Sequence, residues 1–93
     1  MIYAYAQLTI TNPDSFAAYR EKAGEALARH GGEVVQGSGD LVALDGTPEL
    51  PNIAAILAFK DRDSALGWAN DPELADVHAL RQGAGKSDIV LLG

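Results

Sequence analysis

At 93 residues the chain has room for one domain, and 47% hydrophobic with 22% charged residues is the balance of a globular chain, not a disordered one. Thirteen acids against seven bases leave a net charge of -6, which repels nucleic acid and anionic lipid. The absence of cysteine removes disulfides, zinc–thiolate sites, iron–sulfur clusters and a cysteine nucleophile together.

The first segment, Ile2 to Thr11, alternates. Ile2, Ala4, Ala6, Leu8 and Ile10 fall on one face, and Tyr3, Tyr5, Gln7, Thr9 and Thr11 on the other. A period of two with aromatic and β-branched residues predicts a strand. The run that opens on Met1 has no basic region of the kind a secretory leader carries. No apolar run reaches the ~20 residues of a membrane helix, so a cytoplasmic protein without membrane contact is expected.

Asn12-Pro13 marks a helix start: Asn12 caps through its side-chain oxygen, and proline fits the first helical position. Phe16, Tyr19, Ala23, Ala26, Leu27 and His30 recur at helical spacing, and Glu25 and Arg29 stand four apart in the favourable order. Gly31-Gly32 stops the helix. Glu33 to Gln36 reads as a strand that Gly37-Ser38-Gly39-Asp40 kinks and Leu41 to Leu44 resumes. A loop with Gly46, Pro48 and Pro51 follows. Ile53 to Phe59 is apolar on both faces, as in a strand covered on both sides.

Asp61 caps a second helix carrying Ala65, Leu66, Trp68 and Ala69. Asp71-Pro72 repeats the cap-and-proline signal and starts a third, with Leu74, Val77, His78 and Arg81 on its stripe. Ile89 to Leu92 is the last strand. The order is β-α-β-β-α-β with the second helical region split, which defines an α+β, ferredoxin-like domain over residues 1–93 with sheet order 4-1-3-2. The helices cover one apolar sheet face. The other is expected to meet a second copy, giving a homodimer that closes as a dimeric α/β barrel.

Few residues carry chemistry. His30 and His78 are the only histidines, and both lie on apolar stripes. Either reads as a packed helix-end histidine or as a general acid–base group, and His78 is the better catalytic candidate because Arg81 is one turn away. Arg81 on an apolar stripe needs an acceptor: a carboxylate of the protein, or an anionic ligand. Trp68, Tyr19 and Tyr5 either fill core and interface or wall a flat apolar pocket. The break at Asp71-Pro72 keeps the two helical halves from both lying flat on the sheet. An enclosed cavity is therefore expected there, with Arg81 and His78 at its polar end and Trp68 on its wall. Two histidines without metal-ligand spacing give no metal site. Gly37-Ser38-Gly39 lacks the lysine and the helix of a phosphate loop.

The aromatic first strand, Asn12-Pro13 with Phe16 and Tyr19, His30-Gly31-Gly32, Ala58-Phe59, Trp68 before Asp71-Pro72-Glu73-Leu74, and Arg81 together resemble the domain-of-unknown-function family 1330 (DUF1330) of the dimeric α/β-barrel superfamily. The resemblance spans nearly the whole chain and implies the fold and the dimer. It carries no established chemistry. The family commonly has Glu where this chain has Ala58, a basic residue near Pro51-Asn52, and an aromatic at Ala69.

Two functions follow as expectations. One is binding or transformation of a small anionic or aromatic organic molecule, with no metal or nucleotide cofactor and no nucleic acid. The other is a non-catalytic dimeric module for assembly or regulation.

Overall fold

The computed structural model describes residues 1–93. Four strands, β1 (Ile2–Ile10), β2 (Glu33–Ser38), β3 (Ile53–Phe59) and β4 (Gly85–Leu92), form one sheet in the order β2-β3-β1-β4, every neighbouring pair antiparallel. That order is the expected 4-1-3-2 read from the opposite edge. Three helices, α1 (Pro13–Ala28), α2 (Arg62–Asn70) and α3 (Ala75–Gly83), lie on one face. The molecule measures 35 × 30 × 16 Å, the thickness of one sheet and one helical layer.

Local chemistry sets the element ends. Asn12 accepts a hydrogen bond from the Ser15 amide at 3.2 Å, capping α1. Gly31, at φ +68°, ends it, and the Gly32 amide returns to the Leu27 carbonyl at 2.8 Å. Asp61 caps α2 through the Ser64 amide at 2.8 Å, and this bond holds its carboxyl below the usual range. At Asp71 the chain leaves α2, makes one 3-10 turn over Pro72–Leu74 and enters α3. The split expected at Asp71-Pro72 is present.

Only 13 of 93 residues are buried, because one sheet face has no cover. The core is Ala4, Leu57 and Phe59 of the sheet against Ala26 and Leu27 of α1, Ala65 and Trp68 of α2, and Leu74. Trp68 and Phe59 meet with ring centroids 5.7 Å apart. On the open face Tyr3, Val90 and Leu92 stay exposed.

Two expectations change. Leu41–Leu44 is not a strand. The glycine-rich stretch does not kink a strand that resumes; β2 instead runs through Gly37 to Ser38, and its irregularity is a bulge at Val34–Gln36. The Ser38↔Ala54 pairing ends the ladder, so residues 39–52 form a loop in which Val42 and Leu44 are exposed. At the other end, β4 begins at Gly85 rather than Ile89, because Lys86, Ser87 and Asp88 pair with Thr9, Leu8 and Gln7.

Candidate functional site

Sheet and helices do not close fully on each other. Between the sheet and α1 lies a cleft of about 600 Å³, partly open to solvent. Small residues face one another across it: Ala23 and Gly24 from α1, Ala6, Gly37 and Ala55 from the sheet. A Cβ built on Gly24 would touch nothing within 4 Å, so side-chain bulk is what this space lacks. Phe16, Tyr19 and Leu27 supply the rest of its helical wall. A second space of about 320 Å³ lies beside Trp68, between the sheet and the second helical region. Arg81, Ser87 and Ile89 line both spaces, so they are adjacent lobes meeting at Arg81.

Helix α3 carries Arg81 and His78 three residues apart, on the side turned to the sheet and α2. His78 is 7% exposed. Its Nε2 lies 2.8 Å from the Trp68 carbonyl oxygen, which only accepts, so Nε2 donates. Its Nδ1 accepts from Arg81 Nη1 at 2.9 Å. Its ring stands edge-on to Trp68 at 4.7 Å. The Arg81 guanidinium lies 5.3 Å from the Trp68 ring and 5.6 Å from the Tyr19 ring, with a long contact of 3.5 Å to the Tyr19 hydroxyl.

No carboxylate pairs with Arg81: the ion pairs of the molecule are those of Arg29 and His30 with Asp71 and Glu73. Two buried donors are left without a protein acceptor, Arg81 Nε and Trp68 Nε1. An unpaired buried N–H costs about 1–3 kcal/mol. Arg81 is thus a partly buried cation without a carboxylate counter-ion.

The structure therefore brings Arg81, Trp68 and Tyr19 together. His78 touches Arg81 but lines neither lobe, and both its ring nitrogens are bonded within the protein. Tyr5 lies elsewhere: it is on the helix-free face, and its hydroxyl donates to Gln7 Oε1 at 3.3 Å. Strand alternation separates it from the clefts, because the even positions of β1 are the ones that meet the helices. The expected single enclosed cavity is instead two partly open lobes, the larger under α1. Ser87 and Gln82 join the lining without having been singled out in the sequence. The signal for Ser87 was strand parity: it alternates with Ile89 and Leu91.

His30 serves another purpose. It sits at the end of α1, and its Nε2 lies 2.8 Å from Asp71 Oδ2, while Asp71 Oδ1 accepts from the Glu73 amide at 2.9 Å. The bonds from His30 and the Glu73 amide hold the Asp71 carboxyl below its usual range. Arg29 turns to Glu73 and Asp71, away from the Glu25 pairing its spacing suggests.

Fold and site define a two-layer ferredoxin-like α+β domain with an arginine set between two lobes beneath its helices. The chain belongs to the family described as domain of unknown function (DUF1330), whose model matches residues 1–93. Among solved structures it is similar to the RPA0582 protein of unknown function from Rhodopseudomonas palustris. That likeness has a TM-score of 0.75 at 22% identity and covers 98% of this chain and 79% of that one. The methylated RPA0582 protein aligns with a TM-score of 0.74 at 23% identity, over 98% and 78%. These likenesses concern the fold. No curated protein matches the chain. No helix is long and apolar enough to cross a membrane.

Proposed function

We propose that the domain binds a small organic molecule with an apolar body and one anionic group, in the cleft between the sheet and α1, without metal or nucleotide. The observation that carries this reading is Arg81: a partly buried guanidinium in the wall of an apolar cleft of about 600 Å³, with no carboxylate of its own protein beside it. The body of the ligand lies against Leu8, Leu27, Leu57 and the Tyr19 ring, and Arg81 holds its charge. In this reading His78 is a positioning residue. Its Nδ1 holds Nη1 of Arg81, while the Trp68 carbonyl fixes the imidazole in turn.

The probe 8-anilinonaphthalene-1-sulfonate has the required character and reports its own binding by fluorescence. Arg81→Met is expected to weaken it by about tenfold or more, the value of a charge-assisted contact. Ala23→Phe, which fills the cleft from α1, is expected to abolish it. Binding that survives both substitutions takes place on another surface and refutes the reading.

A second reading concerns assembly, and the open sheet face favours it. Tyr3, Tyr5, Val35, Val90 and Leu92 are 37–61% exposed on or beside that face, a contiguous apolar patch of the kind that marks an interface. A second copy of the chain offers the matching surface, since a two-fold contact pairs each patch with itself. The homodimer and the cleft are compatible, because they use opposite faces of the sheet.

A further inference from the structure

The two lobes differ in size and in which polar groups they hold. The larger is lined by nineteen residues, eleven of them hydrophobic, with Gln7, Arg20, Ser38, Arg81 and Ser87 as its polar members. In the smaller, three of ten lining residues are polar, Arg81, Gln82 and Ser87, and Trp68 forms part of its wall. The two buried donors without acceptors, Trp68 Nε1 and Arg81 Nε, belong to two residues of this smaller lobe. Buried donors are ordinarily paired, so these two N–H groups are open to an acceptor that reaches them.

Starting from the cleft reading above, on which this step rests, we propose that the ligand is a hydrophobic monocarboxylate bound across both lobes. Its carboxylate occupies the smaller lobe, beside Arg81, Trp68, Ser87 and Gln82, and its aryl or alkyl body occupies the larger. Several features point to a carboxylate. It has two acceptor oxygens and no donor, so it answers a site whose unpaired groups are both donors. It carries one charge, matching Arg81, the one guanidinium that lines both lobes; Arg20 lines the larger lobe alone. Arg81, Ser87 and Ile89 line both lobes, so the cation stands where the two spaces adjoin. The Tyr19 ring on the larger side and the Trp68 ring on the smaller hold the guanidinium between them, at 5.6 and 5.3 Å. The cation is therefore fixed before a ligand arrives, which lowers the entropy lost on binding.

The test is calorimetric titration of the full chain with naphthalene-2-carboxylate and with its neutral amide, the same body without the charge. The acid is expected to bind about tenfold or more tightly than the amide. Gln82→Leu and Trp68→Phe are expected to weaken the acid and leave the amide unchanged. Gln82 is exposed, so its variant does not depend on the core tolerating a change. Trp68 is the only tryptophan, so its emission in the unaltered protein is a second readout, and the acid should shift it where the amide does not. Equal affinity for acid and amide, both abolished by Ala23→Phe, overturns the carboxylate site and leaves the cleft reading standing. Acid affinity unchanged in Gln82→Leu, with Trp68 emission unmoved, also overturns it. Failure of both probes to bind at millimolar concentration overturns the two readings together.

Discussion

Arg81 and His78 stand one helical turn apart, and their contact fixes where the imidazole proton resides. A guanidinium only donates, so Nδ1 of His78 is bare; a carbonyl only accepts, so Nε2 is protonated. Nitrogen-15 NMR at neutral pH is expected to show a single Nε2–H tautomer, and a mixture of tautomers would contradict the arrangement. Gly85 makes a different demand. It joins α3 to β4 at φ +154°, and a Cβ there would lie 1.8 Å from the Thr9 carbonyl oxygen. Backbone cannot step aside as a flexible side chain does, least of all here. The preceding Ala84 carbonyl already receives the amides of Thr11 and Asn12 at 2.8 and 3.0 Å. Gly85→Ala is expected to destabilise by about 3 kcal/mol or more, read as a lowered urea midpoint. A midpoint equal to that of the unaltered protein would contradict the contact.

Among the elements, the joint between α2 and α3 has the most specific support. Asp71 binds His30 from the end of α1 and caps the 3-10 turn, so one carboxylate ties three segments together. Its pKa is lowered in the folded state, first by the His30 bond and then by the Glu73 amide. A lowered carboxylate contributes stability above its ordinary pKa and loses it as pH falls through the folded value. Melting curves between pH 7 and 3 are therefore expected to show Asp71→Asn less stable at neutral pH, with the gap narrowing on acidification. A gap constant with pH would rule this contribution out. The joint was legible because a capping acid followed by proline has one local meaning. Leu41–Leu44 was not, because its apolar run fits a strand but no neighbouring strand is placed to pair with it. Pairing is a tertiary event that propensity does not record.

For the whole molecule, topology followed from element order, while the choice of face did not. Both faces of β3 are apolar, so periodicity alone did not say which the helices would take, and Tyr5 fell on the far side. Arg81 was legible because a lone cation on an apolar stripe stands out at any register. The cleft under α1 was not, since it arises where Ala23 and Gly24 happen to oppose Ala6, Ala55 and Gly37 across the layers. The open face yields its own prediction. Light scattering at micromolar concentration is expected to give twice the monomer mass, and Tyr5→Glu with Val90→Glu, charges set into that face, are expected to restore the monomer. A monomer mass for the unaltered chain would refute the assembly.

The central position of β1 bears on how the chain reaches this state. The first strand pairs on one side with β3 and on the other with β4, from Ile2↔Phe59 to Tyr3↔Leu92, so its partners come from the middle and the far end of the chain. Closing such loops costs entropy before any ladder forms, and proteins dominated by distant pairings fold slowly. During synthesis β1 has no partner strand until β3 appears, and its second edge stays open until β4 follows. The domain thus carries an unpaired edge on β1 until β4, the fourth of its strands in chain order, is made.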